Sequence, residues 1–144
     1  MTLRLPNKVR RDVERLAAQM GYKPAYLAAR LVEEGLRRRW FPQIELRDTV
    51  AGRVAYVKGT RLAVYWLIER IRTGMSAERL ANDFNISPVQ VNAALAYART
   101  FADEIDLDLE EAEANRRWLD QEETAWQATR PATPQGHRKA KARN

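Results

Sequence analysis

The spacing of apolar residues at the N-terminus predicts a short strand followed by two helices. Residues 2–5 alternate polar and apolar side chains before a proline, as a strand does. Residues 7–20 and about 24–40 carry apolar side chains at helical spacing, and Gly21 suits the end of the first helix. Asn7 is the expected N-cap of that helix.

The pattern after residue 40 predicts a β-hairpin and then a series of helices. Two short strands are expected at residues 44–48 and 54–59, around a turn at 49–53. The predicted helical segments are 62–74, 76–84 with Ser76 as its cap, 88–105, and a charged continuation over 106–127. From Arg130 onward the chain contains Pro, Gly and basic residues without periodicity, which predicts disorder. The fold class is therefore mainly α with short β.

The first strand has no partner beside it in sequence, and an isolated strand leaves its backbone groups unpaired. Two amphipathic helices in about 40 residues also cannot close a core alone. A second copy solves both problems, because two strands can pair across a two-fold axis while four helices bury their apolar faces. Leu3 and Leu5 would then face the helices, and Thr2 and Arg4 would face outward. A two-stranded ribbon of this kind fits the DNA major groove.

Residues 2–36, TLRLPNKVRRDVERLAAQMGYKPAYLAARLVEEGL, resemble a ribbon-helix-helix DNA-binding domain over about residues 1–40. The resemblance implies a dimer that binds operator double-stranded DNA. Its predicted DNA contacts are the base-reading Thr2 and Arg4 and the phosphate-binding Lys8, Arg10, Arg11 and Lys23. Lys23 replaces the small hydroxyl residue that the family usually has in the turn. The alternative is that residues 1–6 form a dimerisation strand only.

A second resemblance covers about residues 44–102, which are similar to the domain of unknown function family 433. It is carried by Gly-Thr-Arg at 59–61, Gly-x-Ser at 74–76 and Ala-Leu-Ala-Tyr-Ala at 94–98. The usual Gly-Gly-Lys-Pro of the hairpin is Ala-Gly-Arg-Val here. Members of that family are commonly VapB-type antitoxins encoded beside a PIN-like ribonuclease toxin, so the resemblance implies such a partner.

Three domains are therefore predicted. They are a ribbon-helix-helix DNA-binding and dimerisation module at 1–40, a β-hairpin plus three-helix domain at 44–105, and at 106–144 an acidic helical toxin-binding arm with a disordered basic tail. The middle domain contains helix-turn-helix spacing at 76–98. Gln90 and Asn92 are its main polar groups near the start of the second helix, and Glu78 and Asp83 make the preceding helix acidic. This favours a structural or oligomerisation role over DNA contact.

Arg61 of the Gly-Thr-Arg sequence has two possible roles. It could pair with a carboxylate of this domain or of a partner. Alternatively it is a residue at the start of a helix that packs on the hairpin, and the second interpretation is favoured.

Charge is distributed unevenly along the chain, whose formal net charge is +6. Residues 1–40 hold ten Lys and Arg against four Asp and Glu, and residues 41–102 hold eight against five. Residues 103–129 hold two against ten, whereas residues 130–144 hold five against none. A basic front suggests a polyanionic partner, and the acidic block suggests a different partner at the other end.

The acidic block contains aromatic residues with little other apolar sequence around them. Such residues often anchor a protein partner, because charge contributes steering more than affinity. We expect the acidic helix 103–123 to occupy the basic RNA groove of the toxin, with one arginine reaching its carboxylates. The predicted toxin-binding residues are Arg116, Arg117, Trp118, Leu119, Trp126 and Arg130.

Catalytic chemistry finds no support in the sequence. The single histidine, His137, lies in the tail, cysteine is absent, and there is no glycine-rich phosphate loop or metal-ligand pattern. The carboxylates of residues 103–113 are interpreted as a solvated helix face, so no metal or other cofactor is predicted. No apolar run approaches the roughly 20 residues of a membrane span, and the N-terminus lacks a signal peptide, so a cytoplasmic location without a membrane partner is expected.

The sequence as a whole predicts the antitoxin of a type II toxin–antitoxin pair, a homodimer or higher homo-oligomer that represses its own operon. A stand-alone transcriptional regulator without a toxin is the alternative. A third possibility is an assembly or adaptor protein with no DNA role.

Overall fold

The computed structural model describes residues 1–131, which form six helices and one two-stranded sheet. The helices are α1 (Asn7–Met20), α2 (Pro24–Trp40), α3 (Val64–Arg72), α4 (Ala77–Asp83), α5 (Pro88–Thr100) and α6 (Ala102–Thr129); the strands are β1 (Ile44–Thr49) and β2 (Gly52–Val57). Two compact units divide the chain, Met1–Leu109 and the part from Glu110 onward. The predicted disorder of residues 132–144, with His137, lies outside the described residues. The mainly helical architecture with one small hairpin is confirmed.

The first two helices have the predicted bounds. Gly21 ends α1 with a φ of 71°, a left-handed conformation that glycine adopts without a steric cost. The predicted N-cap is wrong, because Asn7 already lies inside the first turn and Pro6 occupies the cap. Pro6 makes no side-chain cap, but its ring fixes a φ of −55° and its carbonyl accepts from the Arg10 amide at 2.9 Å.

Residues 1–6 belong to no helix or strand of the single chain. The expected strand at residues 2–5 needs a partner strand from a second copy, which one chain cannot supply. Leu3 is accordingly exposed and Leu5 half-buried. The N-terminal ribbon remains a prediction.

The hairpin pairs β1 with β2 antiparallel, from Ile44 opposite Val57 to Thr49 opposite Gly52. The second strand begins and ends two residues earlier than the predicted 54–59. It ends at Val57 because the chain turns there: Gly59 has a φ of 74°, and the Thr60 hydroxyl donates to the Val57 carbonyl at 2.8 Å. The same hydroxyl accepts from the Leu62 amide at 3.0 Å, which closes the turn before α3.

Helices α3, α4 and α5 pack together beneath the hairpin. Ser76 caps α4 as predicted, accepting from the Arg79 amide at 3.1 Å. At the start of α5, Ser87 and Gln90 satisfy each other's backbone amides in a capping box. These caps fix the starts of α4 and α5, and the helix-turn-helix assignment of the two helices remains a prediction.

The predicted continuous helix over residues 88–105 is wrong, because the chain breaks at Phe101. Phe101 has φ −117° and ψ 46°, outside the helical region, and α6 begins immediately afterwards. Its ring packs edge-on against Phe41, with centroids 5.9 Å apart, and is tilted against Tyr97 at 4.7 Å. The break therefore coincides with an aromatic contact between the start of the hairpin region and α5.

One hydrophobic cluster holds the first unit together. Its buried members are Ile44, Ala55, Val57, Val64, Leu67, Ile68, Leu80, Ala81, Ile86, Val91, Ala94, Tyr97 and Ile105. Within the described residues, neither α1 nor α2 contributes a member. Each of these two helices buries a single residue, Ala17 in α1 and Leu27 in α2. The core thus belongs to the hairpin, α3–α5 and the first turns of α6.

Replacing Leu80 tests this assignment of the core. Leu80→Ala should lower the free energy of unfolding by about 2–5 kcal/mol, because the side chain is completely buried and leaves a cavity. Urea unfolding followed by circular dichroism measures the loss. Leu107→Ala is the matched control, since Leu107 is exposed and its loss should stay within about 0.5 kcal/mol. Equal losses in both variants would contradict the placement of the core.

Candidate nucleic-acid and protein interfaces

The predicted DNA-contacting side chains are all exposed. Thr2 and Arg4 precede α1, and Lys23 occupies the N-cap position of α2 without capping it by its side chain. Three more cations lie on the first turns of α1: Lys8, Arg10 and Arg11. Arg10 forms a long surface ion pair with Glu14 at 3.9 Å, a geometry worth little in water. The single chain leaves these six residues available to a polyanion without gathering them into one pocket.

An apolar face lies on the two N-terminal helices. Large apolar side chains are exposed there at helical spacing: Val9, Leu16 and Met20 on α1, and Leu31, Val32, Leu36 and Trp40 on α2. We call this set the N-terminal apolar face. Its central α2 members, Leu31, Val32 and Leu36, are 43–49% exposed. Gly35 lies among them with open space where a side chain would be. Exposure of this much apolar surface on adjacent helices is typical of a protein-binding surface.

The opposite side of α2 is attached to the rest of the unit by Arg37. Its Nη1 donates to the Tyr97 hydroxyl and to Glu104 Oε1, both at 2.7 Å, and Nη2 bonds Glu33 of the same helix. Its guanidinium carbon lies 4.0 Å from the centroid of the Phe101 ring. Tyr97 in turn donates to Glu104 Oε2 at 2.7 Å. We call these four residues with Arg37 the Arg37 cluster; it joins α2, α5 and the start of α6.

A second polar contact joins α2 to the hairpin. The Arg53 guanidinium forms a two-pronged pair with Glu34, with bonds of 2.7 and 2.6 Å. Hydrogen bonding to Arg53 lowers the pKa of the Glu34 carboxyl, and the same bond raises the pKa of Arg53. Both groups are therefore charged at neutral pH, and two parallel bonds fix their relative orientation.

Electrostatics within the Arg37 cluster favour a protonated tyrosine. Burial raises the pKa of Tyr97 well above the ordinary tyrosine value, and its hydrogen bond to Glu104 acts in the same direction. Burial alone would lower the pKa of Arg37, but hydrogen bonds to Glu104 and Glu33 raise it overall. The cluster therefore keeps its charged guanidinium and its neutral phenol throughout the physiological pH range.

The three residues of the Gly-Thr-Arg sequence do not share one structural role. Gly59 and Thr60 form the turn that ends the hairpin, whereas the Arg61 side chain is exposed. The structure thus assigns the turn to the first two residues, and Arg61 is placed at the surface rather than packed on the hairpin.

The exposed side of the helix–turn–helix is poor in free cations. The Gln90 side chain is used in the capping box, and Arg79 is 3.3 Å from the Asp83 carboxylate. Asn92 is exposed near the start of α5, and Glu78 is exposed on α4. This composition fits the structural role expected for the segment better than a DNA-binding one.

The second unit contains the residues predicted to bind a toxin. Trp118, Leu119 and Trp126 are exposed, the two tryptophans at 58% and 65%. At 100° per residue they lie within about 100° of one another around the helix axis, so they share one face. Arg117 is 2.9 Å from Glu113 on the same helix, and Arg116 also has an interaction partner. Arg130 is exposed just after the end of α6.

Comparison with known proteins concerns the middle of the chain. Residues 41–98 match the family described as protein of unknown function (DUF433). The resemblance inferred from the sequence is confirmed over this region. The DUF433 region contains the hairpin, α3, α4 and most of α5, including Tyr97 of the Arg37 cluster. No curated protein and no solved structure matches the chain.

Residues 1–131 contain neither a membrane-spanning helix nor a cluster of metal-ligating side chains. Within residues 1–131, no helix combines the length and apolar character needed to cross a bilayer. Over the same residues, no group of three or more His, Asp or Glu side chains is placed to hold a metal ion.

Sequence reasoning missed the Arg37 cluster. In the sequence, Arg37 is one of three consecutive arginines in the last turn of α2, where the helix dipole alone accounts for cations. The available local signal was the acidic Glu33 four residues earlier, but Tyr97 and Glu104 are more than 50 positions away in sequence. Only the fold brings them together.

The raised pKa of Tyr97 predicts a loss of stability at alkaline pH. The folded chain holds this proton more tightly than the unfolded chain, so stability is fully present below the unfolded pKa of about 10 and falls as pH rises above it. The contribution is at most about 1.4 kcal/mol per pH unit. Urea unfolding between pH 8 and 11 should give a shallower pH dependence for Tyr97→Phe than for wild type. Tyr22→Phe is the control at an exposed site, and its unfolding free energy should depend on pH as that of wild type does. The same pH dependence in Tyr97→Phe as in wild type would refute the raised pKa of Tyr97.

Proposed function

We propose that this protein is the antitoxin of a type II toxin–antitoxin pair. In this proposal it binds operator DNA as a homodimer, represses its own operon and neutralises a PIN-like ribonuclease, without enzymatic activity of its own, in the cytoplasm. The observation that carries the proposal is the N-terminal apolar face, which lies next to a basic segment on the same two helices. A surface of that composition suits a protein that dimerises through its apolar residues and binds a polyanion through its basic ones.

The dimer follows from the energetics of α1 and α2. Two helices that bury only Ala17 and Leu27 obtain little stabilisation from their own chain. A second copy would cover the N-terminal apolar face of both chains at once, at about 25 cal/mol for each Å² of apolar surface removed from water. The same association would give residues 2–5 a partner strand. The ribbon-helix-helix resemblance of residues 1–40 supports this arrangement.

DNA binding would then use the ribbon and the helix starts. Arg4 would reach base edges in the major groove, because an arginine can bond both acceptors of a guanine. Lys8, Arg10, Arg11 and Lys23 would contact phosphates, and all four are exposed. The amides at the start of α2 would add an anion-binding terminus beside Lys23.

Toxin binding would use the second unit. Its described part exposes Trp118, Leu119 and Trp126 on one face of an acidic helix. An apolar stripe with acidic flanks fits a basic groove that binds RNA, where the tryptophans supply affinity and the carboxylates supply steering. Arg116, Arg117 or Arg130 would then reach the carboxylates of the ribonuclease. The DUF433 region would organise the assembly between these two functions.

A stand-alone transcriptional regulator is the alternative. It shares the dimer and the DNA contacts but leaves the tryptophan stripe without a toxin. Co-expression with the product of the adjacent open reading frame, followed by affinity purification of the complex, distinguishes the two. An adaptor without a DNA role would fail the operator-binding experiment below.

The DNA part of the proposal is tested at Arg4. Arg4→Ala should weaken binding to operator DNA by about 1–3 kcal/mol, the value of one good base contact, while binding to unrelated DNA changes little. Fluorescence anisotropy over a range of salt concentrations measures both. Lys23→Ala is the informative comparison: it should weaken all sequences alike and reduce the log–log salt slope by about 0.9. Wild-type operator affinity in Arg4→Ala would eliminate the ribbon as the reading element.

The toxin part is tested by truncation and substitution of the arm. A chain that ends after Ile105 keeps the buried core and should still bind operator DNA, but should no longer rescue cells that express the toxin. In the full chain, Trp118→Ala should weaken the toxin complex by at least about 2 kcal/mol, as loss of an interface anchor does. Glu122→Ala, an exposed acidic control on the same helix, should weaken the complex less. Rescue by the truncated chain would move the toxin-binding surface into the first unit.

A further inference from the structure

The hydrogen bonds that attach α2 to the DUF433 region and to α6 come from charged side chains. The hydrophobic cluster contains no α2 residue among the described positions, and the specific bonds across this junction are those of Arg37 with Tyr97 and Glu104 and of Glu34 with Arg53. Apolar contacts are non-directional, whereas hydrogen-bonded ion pairs fix an orientation. These bonds therefore fix the rotation of α2 about its own axis as well as its position.

Helix geometry shows which side of α2 these bonds turn away from the DUF433 region. At 100° per residue, Val32 lies about 140° around the α2 axis from Arg37 and about 160° from Glu34. Holding Arg37 and Glu34 against the DUF433 region therefore points Val32 away from that region. Leu31 is only about 60° from Glu34 and lines a cavity with Asp48 and Arg53 of the hairpin. The exposure of Val32 agrees with this geometry.

The internal chemistry of the cluster also points to orientation rather than to maximum stability. The Arg37 side chain is only 13% exposed, and its Nε is buried without a hydrogen-bond partner. A buried unsatisfied donor costs stability, and so does the removal of a guanidinium from water. An apolar side chain at this position would avoid both costs but would not define a rotation of the helix.

We propose that Arg37 is a positioning residue that fixes the orientation of α2 and so presents the N-terminal apolar face to the second copy. This inference rests on the dimer of the proposed function. The start of α6 also takes part in presenting the N-terminal apolar face, because Glu104 lies there and accepts hydrogen bonds from both Arg37 and Tyr97. A substitution at Glu104 should therefore be felt in α2, although the two residues are 67 positions apart in sequence.

The test combines hydrogen exchange with self-association in the full chain. Arg37→Met and Glu104→Ala each remove one side of the cluster. Arg39→Met and Asp103→Ala are the matched controls, because both residues are exposed neighbours on the same helices. Mass spectrometry measures amide exchange in residues 24–40 and 64–90, and sedimentation equilibrium gives the dimer dissociation constant.

Both cluster variants should raise amide exchange in residues 24–40 about tenfold, the factor expected for one lost charged hydrogen bond, and raise the dimer dissociation constant by a similar factor. Exchange in residues 64–90 of Glu104→Ala, a range without its partner Tyr97, should stay at the wild-type value, and both controls should behave as wild type. Glu104→Ala keeps the test decisive if Arg37→Met fails to fold.

Two results would overturn the inference. Exchange in residues 24–40 equal to that of the controls would mean that the cluster does not hold α2. Raised amide exchange with an unchanged dimer dissociation constant would mean that the Arg37 cluster holds α2 without positioning the dimer interface. Wild-type chain that stays monomeric at every concentration is a different failure, since it removes the proposed dimer while the exchange data still report on the cluster.

Discussion

Burial of apolar surface is the constraint that α1 and α2 cannot satisfy on their own chain. Each helix buries one small or medium-sized residue and leaves a row of larger ones exposed. The hairpin and α3–α5, in contrast, enclose a complete core that Ile105 of α6 closes. The first unit thus has one part that encloses its own core and another whose larger apolar side chains are exposed.

Polar contacts connect these two parts. Arg37 and Glu34 face the DUF433 region, so Val32 on the opposite side of α2 faces away from it. The same contacts place the start of α6 against α2, so one guanidinium forms hydrogen bonds with residues of α2, α5 and α6.

Local signals in the sequence predicted most of the fold. Apolar periodicity, Gly21 and Ser76 located α1, α2 and α4, because caps and amphipathic faces depend on near neighbours in sequence. The break at Phe101 was missed, since its ring packs on Phe41 from a distant segment. The Arg37 cluster was missed for the same reason. Candidate binding residues could be chosen by charge and exposure alone, but the side of α2 that remains free is decided by tertiary contacts.

The central claim is that the N-terminal apolar face binds a second copy of this chain. Sedimentation equilibrium of the full chain, compared with Val32→Lys, tests it most directly. Val89→Lys is the matched control, because Val89 is an exposed valine on α5. We expect dimers for wild type and Val89→Lys, and folded monomers for Val32→Lys, since a lysine charge would be buried in the interface. Monomers in all three chains, or dimers in all three, would contradict it.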